Sequence, residues 1–379
     1  MKILFISNDP QIFVAESAVR ARMRQYASLI GQLHILSRAP KGANMETDGS
    51  LTVHPIHASG LFLILPMIAR ARSLIQREQI DIVSAQDPFE YGWIAFQAQR
   101  GTKAKLHVQL HTDFLSPWFT KKGGFRALTV NMPLMNRVRT YLADIVLPRA
   151  QGIRVVSKRI KDSLIARFGK TLIEPEIIPI GVSAELAPPI AFPPHEFSFN
   201  LVTVSRLEPE KRIEDILMAL GRIAQRYPSV GLFIVGEGRE RKRLVALAQK
   251  LGLSKRVVFL GWRNDAQGLI RSAHAYIQAS AYEGYGLTLV EAALARVPII
   301  TTDVGIVGEV LKGYEDVLAA PVGDPVQLAV HITSLVEDHQ LRITLPMNAE
   351  RTVKNHLAEY KNGAERFKNH FERMLTTTS

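Results

Sequence analysis

Short apolar runs alternate along this chain with longer segments of helical periodicity, and this alternation limits the folds available to it. The runs lie at residues 3–6, 34–36, 82–84, 106–110 and 153–156, and helix-like stretches such as 14–30 and 134–147 lie between them. Parallel strands need helical crossovers between them, so this order predicts a parallel sheet with helices on both faces. Because the pattern recurs over residues 201–319, the sequence predicts two doubly wound, Rossmann-like α/β domains.

Residues 187–194 separate the two repeats of the pattern and contain four prolines, which is typical of a stiff exposed connector. We therefore expect an N-terminal domain over residues 1–190 and a C-terminal domain over residues 191–355. The closing stretch 353–375 is amphipathic and basic and predicts a terminal helix, which we assign to a third segment, residues 356–379.

The composition permits a folded enzyme and excludes several other classes. The 379 residues contain no cysteine, which excludes disulfides and thiolate metal sites. The longest apolar stretch, residues 61–68, contains Pro66 and falls far short of the roughly 20 residues that cross a bilayer. The net charge is +12, and residues 117–170 carry 12 basic side chains against Asp144 and Asp162. We expect a cytoplasmic protein.

The segment from Glu283 to Glu291 is the most informative one for function. Two glycines flank Tyr285, and the helix-forming run 287–296 follows. A tight turn that opens a helix leaves the amides of Gly286, Leu287 and Thr288 able to face an anion. A diphosphate suits those amides, and the two carboxylates suit the hydroxyl groups of a hexose and a ribose. The alternative is a glycine-rich turn with two solvated glutamates.

A second candidate segment lies between a predicted strand at 201–204 and a predicted helix at 213–223. Arg206 at the strand end and Lys211 at the helix start can converge on a leaving diphosphate. The alternative is a surface loop with two solvated cations.

In order and spacing, residues 201–336 resemble the donor-binding domain of glycosyltransferase family 4, the retaining enzymes of the GT-B fold. The shared segments include 234–238, 258–261, 291–294, 297–301 and 305–309. The resemblance implies two Rossmann-like domains facing across a cleft, a C-terminal helix that returns to the first domain, and a nucleoside diphosphate sugar, of UDP or GDP type, as donor. It implies catalytic roles for Arg206, Lys211 and Glu283. The donor-binding residues that it implies are Gly261, Gly284, Gly286, Leu287, Thr288 and Glu291.

The chain departs from the family pattern at three places. Arg212 follows Lys211 where glycine is usual, and Arg296 stands where glycine is common before the proline. The first loop, residues 7–16, has no glycine pair near its expected phosphate contact. Three arginines in the following stretch are candidates to compensate in phosphate or acceptor binding: Arg20, Arg22 and Arg24.

His111 ends the predicted strand 106–110, at the sheet edge where an α/β domain binds its ligand. Related family members present a histidine here to the donor sugar and acceptor, so we expect His111 to hydrogen-bond the sugar and to steady charge at the anomeric carbon. The alternative is a histidine that caps the strand end. We expect no cofactor and no metal, because the sequence has no Asp-x-Asp pair and its cations can stabilise the leaving group.

The acceptor is predicted to be a lipid-linked or other glycan of the cell envelope or of a polysaccharide. Residues 117–170 combine Trp118, Phe119 and Phe125 with basic side chains, which favours docking on an anionic inner-membrane surface. A solvated basic face is the alternative. The basic side chains are Lys121, Lys122, Arg126, Arg137 and Arg139.

Other functions are open at this point. We expect no nucleic-acid partner, because the sequence has no zinc spacing, no basic helix with heptads and no RNA-recognition motif. A soluble small-molecule acceptor, another GT-B chemistry such as a phosphorylase or an epimerase, and a non-catalytic nucleotide-sugar-binding module are the alternatives. Fold alone does not decide among them.

Overall fold

The computed structural model describes residues 1–58, 63–120, 132–182 and 187–376. These form two compact units. Among the described residues, the first unit takes in 1–58, 63–120, 132–181 and 362–376, and the second takes in 182 and 187–361. Along the chain the units therefore divide between Gly181 and Val182, whereas the predicted boundary lies between residues 190 and 191.

The first unit is a mostly parallel sheet with helical crossovers. Its elements are β1 (Lys2–Ser7), α1 (Ala18–Ile30), β2 (Gln32–Arg38), β3 (Glu46–Asp48), β4 (Leu51–Ile56), α2 (Ile64–Glu78), β5 (Ile82–Ala85), α3 (Glu90–Gln99), β6 (Lys105–Leu110), α4 (Pro117–Thr120), α5 (Met132–Val146), β7 (Gly152–Val155), α6 (Lys158–Phe168) and β8 (Glu176–Ile177). The strand order is β3-β4-β2-β1-β5-β6-β7-β8, and only the β3–β4 pair is antiparallel among the strand pairs of this described sheet. From β1 the chain moves outward to β2 and β4, and it then returns to β5 on the other side of β1.

The second unit has a fully parallel sheet. Its elements are β9 (Phe199–Val204), α7 (Ile213–Ile223), β10 (Val230–Val235), α8 (Arg241–Lys250), β11 (Val257–Gly261), α9 (Ala266–Arg271), β12 (Ala275–Ile277), α10 (Leu287–Leu294), β13 (Ile299–Thr302), β14 (Leu318–Ala320), α11 (Pro325–Glu337) and α12 (His339–Glu359). The strand order is β11-β10-β9-β12-β13-β14. All six residues of β10 are buried, as expected for a strand covered on both faces.

The last helix, α13 (Gly363–Thr376), packs within the first unit. Phe367 and Phe371 are buried in one cluster with Ile3 and Phe5. The Phe5 and Phe367 rings lie 6.1 Å apart at their centres. Burying two phenylalanines contributes roughly 1.5–3 kcal/mol each, so this helix is part of the first unit's core.

The predicted fold class is confirmed, and several elements match closely. The helix predicted at 213–223 is α7, and the apolar run 106–110 is β6. The helix predicted at 14–30 begins instead at Ala18, because the Ser17 hydroxyl accepts a hydrogen bond from the Arg20 amide and caps the helix there.

The single terminal helix predicted over 353–375 is wrong. The structure has two helices in this region, since α12 ends at Glu359 and α13 begins at Gly363. The interruption is a turn at residues 360–362, where Asn362 has low helix propensity and Gly363 follows as the first residue of α13. No helix in the described part of the chain is long and apolar enough to cross a bilayer.

Candidate active site

The strand order of the second unit brings two loops together. From β9 the chain moves outward to β10 and β11, and then returns to β12 on the other side of β9. The loops that follow β9 and β12 therefore leave the same sheet edge side by side. Open α/β sheets bind ligands at this kind of switch point, outside the carboxyl ends of the strands.

Lys211 and Glu283 meet at this switch point. Lys211 ends a short 3-10 turn after β9, and Glu283 lies in the loop after β12. The Lys211 ammonium donates to Glu283 Oε1 at 2.5 Å, and the Ser280 hydroxyl donates to the same oxygen at 2.7 Å. The two charged side chains are only 15% and 16% exposed. Lys211 and Glu283, which are 72 residues apart in sequence, thus form a largely desolvated ion pair with a fixed geometry.

Arg206 has a different carboxylate partner. Its guanidinium donates to Glu210 Oε1 at 3.1 Å and is 69% exposed. The Glu210 carbonyl accepts from the Ala281 amide at 2.7 Å, which ties the loop after β9 to the loop after β12. Arg206 thus lies on the same loop as Lys211, as the sequence requires, but its long side chain extends into solvent.

The glycine turn opens α10 with an uncapped N-terminus. Gly286 is the N-cap residue, has φ +91°, and makes no side-chain cap. A Cβ at this position would meet only the end of the flexible Leu289 side chain, so glycine is needed for the left-handed backbone rather than for space. The first amides of a helix, here those of Leu287 and Thr288, have no intrahelical acceptor. Gly284 is buried in the same turn.

The Thr288 hydroxyl is hydrogen-bonded to two side chains of the protein. It accepts from the Tyr276 hydroxyl at 2.8 Å and donates to Gln278 Oε1 at 3.3 Å. This network braces the first turn of α10 against β12. Only the backbone amide of Thr288 is therefore left to bind a ligand.

Glu291 lies one turn inside α10, as the sequence predicted. Its Oε1 accepts from Gln267 Nε2 of α9 at 2.9 Å. Burial raises the pKa of this carboxyl, and the Gln267 hydrogen bond opposes the rise. Gln267 orients the carboxylate and occupies one of its oxygens.

Gly261 ends β11, the edge strand of the sheet. Its φ is +70°, and its carbonyl accepts from the Gly236 amide at 2.7 Å. Since β10 lies between β11 and β9, the strand spacing puts Gly261 roughly 10 Å along the edge from the end of β9. Gly261 thus lies at the carboxyl edge of the sheet, two strands away from β9.

Both departures from glycine in the second unit fall at left-handed backbone positions. Arg212 has φ +47° and Arg296 has φ +57°, where a side chain costs about 1–2 kcal/mol. Each arginine is held by an ion pair: Arg212 with the buried Asp215 at 2.6 Å, and Arg296 with Glu350 at 2.5 Å. The left-handed backbone explains why glycine is usual at both positions.

His111 follows β6 in the first unit and lines a pocket of about 180 Å³. The pocket lies beyond the carboxyl ends of β1, β5, β6 and β7. Burial, and then the Arg154 and Arg22 charges, lower the pKa of His111 to about 3. The imidazole is therefore neutral near pH 7 and is able to donate or accept a hydrogen bond without carrying charge.

Sequence reasoning missed several residues that support these groups. Ser280 and Gln267 hold Glu283 and Glu291, and neither stands in a recognisable motif. Gln109 and Arg154 line the His111 pocket. The sequence could have identified these last two residues. Gln109 lies two residues before His111, on the same strand face, and Arg154 is a charged residue within the apolar run 153–156.

Two family models match this chain in succession. Residues 15–186 match the model for Glycosyltransferase Family 4, and residues 194–352 match the model for Glycosyl transferases group 1. Only the two termini and a short stretch at 187–193 lie outside the two matches.

Three known proteins illustrate the similarity. Glycogen synthase of Mycobacterium tuberculosis is 33% identical over 185 residues, which are 48% of this chain and 44% of that protein. The chain thus spans about half the length of this curated relative. Sucrose-phosphate synthase of Thermosynechococcus elongatus superposes with a TM-score of 0.82 at 19% identity, covering all of both chains. HepE of Anabaena in complex with UDP-glucose superposes with a TM-score of 0.73 at 21% identity, covering 97% of this chain and all of that one.

The structural likeness shows the GT-B fold, and the two matched models confirm the resemblance that the motifs indicated. The chain belongs to glycosyltransferase family 4, the group 1 glycosyl transferases.

Proposed function

We propose that this protein transfers a glycosyl unit from a nucleoside diphosphate sugar to an acceptor hydroxyl with retention of configuration. The observation that carries the proposal is the Lys211–Glu283 pair beside the uncapped start of α10, at the switch point of the second sheet. A cation and free amides suit a diphosphate, and a fixed carboxylate suits sugar hydroxyls.

In this mechanism Lys211 stabilises the negative charge that develops on the leaving diphosphate. The α10 amides of Leu287 and Thr288, with the positive end of the helix dipole, bind the distal phosphate. Arg206, whose exposed guanidinium lies on the same loop as Lys211, binds a phosphate oxygen of the donor. Glu283 holds the transferred sugar, Glu291 holds the ribose, and Gly261 leaves room for the base.

The acceptor hydroxyl attacks the anomeric carbon from the face that the diphosphate leaves. A phosphate oxygen takes the proton of that hydroxyl, so the protein supplies position and electrostatic stabilisation. Neutral His111 hydrogen-bonds the sugar. Because protein cations balance the diphosphate charge, the reaction is proposed to need no cofactor and no metal ion.

The UDP-glucose bound to HepE supports a UDP sugar as the first donor to test. We expect UDP to stabilise the chain on heating and UDP-glucose, or a related UDP or GDP sugar, to be turned over. The anomeric proton coupling in the NMR spectrum of the product reports its configuration. Failure of every nucleoside diphosphate sugar to bind would contradict the proposal. Binding without transfer or hydrolysis would instead identify a non-catalytic sugar-nucleotide module.

The acceptor is proposed to be a lipid-linked glycan reached at an anionic membrane surface. Helix α5 carries an exposed apolar stripe at i, i+1, i+4 and i+7: Leu134, Met135, Val138 and Tyr141. Leu134 is 62% exposed and Tyr141 66% exposed, and Arg137 lies among them on the solvent side. Apolar side chains beside basic ones favour insertion into a headgroup region.

Four of the aromatic and basic side chains expected to dock on the membrane lie outside the described residues: Lys121, Lys122, Phe125 and Arg126. Of the remaining basic side chains, Arg139 pairs with Glu90 at 2.9 Å, which leaves Arg137 as the solvent-facing cation of the stripe.

We expect the chain to co-sediment with vesicles rich in phosphatidylglycerol at low salt and to be released as salt rises, since surface attraction is screened. Leu134→Ser with Tyr141→Ser is expected to weaken binding about tenfold, because both apolar anchors are lost. The matched control is Ile173→Ser, an exposed apolar side chain elsewhere in the first unit. Equal binding by the double variant and the control would contradict docking through α5.

A further inference from the structure

The pocket beside His111 has a concentration of positive charge that the proposed transfer chemistry does not use. It lies wholly within the first unit. Arg22 and Arg154 contribute two guanidinium groups, and Asp9 contributes one carboxylate. Asp9 Oδ1 already accepts from the Gln11 amide, where it caps a 3-10 turn.

Arg154 is a buried cation with neutral partners. It donates from Nε to the Ile178 carbonyl at 2.8 Å, from Nη1 to Gln109 Oε1 at 2.8 Å and from Nη2 to the Pro179 carbonyl at 3.0 Å. Its side chain lies over the Phe367 ring at 4.6 Å. Burial lowers the pKa of this guanidinium. A buried charge held only by neutral groups is costly unless a counter-charge arrives.

Arg22 differs from its neighbours on α1. Arg20 pairs with Glu46 at 2.9 Å, and Arg24 pairs with Asp48 at 2.5 Å. Within the described ranges, Arg22 has no carboxylate at ion-pair distance, and it is the arginine of the three that lines the pocket. Glu46 and Asp48 of β3 therefore neutralise Arg20 and Arg24, whereas Arg22, which lines the pocket, is left uncompensated.

The third polar group of the pocket is the His111 imidazole. His111 Nε2 is buried and has no hydrogen-bond partner among the described residues. A buried polar atom without a partner costs about 1–3 kcal/mol. The pocket volume of about 180 Å³ far exceeds the roughly 10–15 Å³ that one water needs, so it can admit a group of several heavy atoms.

We propose that this pocket binds an oxyanion, a phosphate or carboxylate group, carried by the acceptor. Arg22 and Arg154 supply the charge, and the buried Nε2 atom of His111 supplies a hydrogen bond, which leaves Nδ1 for the transferred sugar. The assignment to the acceptor rests on the proposed transferase function, whereas the oxyanion site stands on the geometry of the first unit alone. The acceptor class is then an anionic sugar, polyol or lipid head group.

The test titrates inorganic phosphate into the full chain at constant ionic strength, with UDP at saturation so that the proposed donor site is filled. Calorimetry is expected to show saturable binding. Arg22→Gln is expected to weaken phosphate affinity about tenfold or more, and Arg24→Gln, the control on the same helix, less than twofold. Equal phosphate affinity in the Arg22 and Arg24 variants, or no saturable binding to the wild type, overturns the proposal.

Two further ligands identify the source of the oxyanion. Glycerol 3-phosphate binding that depends on Arg22 supports a soluble acceptor, and binding to phosphatidic acid vesicles that depends on Arg22 supports a lipid acceptor. UDP affinity is expected to be unchanged in Arg22→Gln. UDP can fail to bind both the wild type and the Arg22 variant while phosphate binding still depends on Arg22. In that case the transferase proposal fails, and the oxyanion site stands without its assignment to the acceptor.

Discussion

Replacing Lys211 with alanine is expected to lower kcat by about 100-fold or more. Removing one donor that stabilises charge in a transition state typically costs 10²–10³ in rate. Lys211 is well placed for this effect, because its ammonium is largely shielded from water and fixed by Glu283 at 2.5 Å. Steady-state kinetics with the donor sugar at saturation measures the change.

The matched control is Lys242→Ala, which removes an exposed lysine from α8 in the same unit. Circular dichroism and thermal unfolding check that both variants fold. A fall in kcat of less than threefold in the folded Lys211 variant would remove Lys211 from the mechanism.

Replacing Glu283 with glutamine is expected to lower kcat/KM for the donor by about 10–100-fold. The substitution keeps the shape of the side chain but removes the negative charge of the carboxylate, which holds Lys211 and accepts hydrogen bonds from sugar hydroxyls. Hydrogen bonds to charged groups contribute roughly 1.5–3 kcal/mol. Glu315→Gln, at an exposed carboxylate paired with Lys312, is the control and should be neutral. Donor kinetics below saturation provides the measurement.

The double variant adds a sharper criterion. Lys211 and Glu283 share one hydrogen bond, so their effects are expected to be non-additive. The Lys211→Ala, Glu283→Gln protein should lose much less than the product of the two single losses. Full additivity would mean that the two side chains act at separate places.

The fold was predictable because hydrophobic periodicity is a local property. The run 106–110 lies between Lys105 and His111, and Arg212 precedes the run 213–223, so the sequence places β6 and α7 almost to the residue. The last helix was mispredicted because the amphipathic pattern runs across the turn at residues 360–362, so periodicity alone does not reveal the break between α12 and α13.

The candidate site was only partly predictable, because its geometry depends on strand order. Gly286 and Glu291 belong to one continuous segment, so the turn and the position one helical turn inside could be inferred directly. The contact between Lys211 and Glu283 exists because β12 pairs with β9, and no local pattern encodes that pairing. The same holds for Arg154, which aligns with Gln109 only through the β6–β7 register.

The most direct measurement is a crystal structure of the chain with UDP bound. We predict that the diphosphate lies within hydrogen-bond distance of the Lys211 ammonium and of the Leu287 or Thr288 amide, with Glu291 on the ribose. A diphosphate bound away from both Lys211 and the start of α10 would contradict the account.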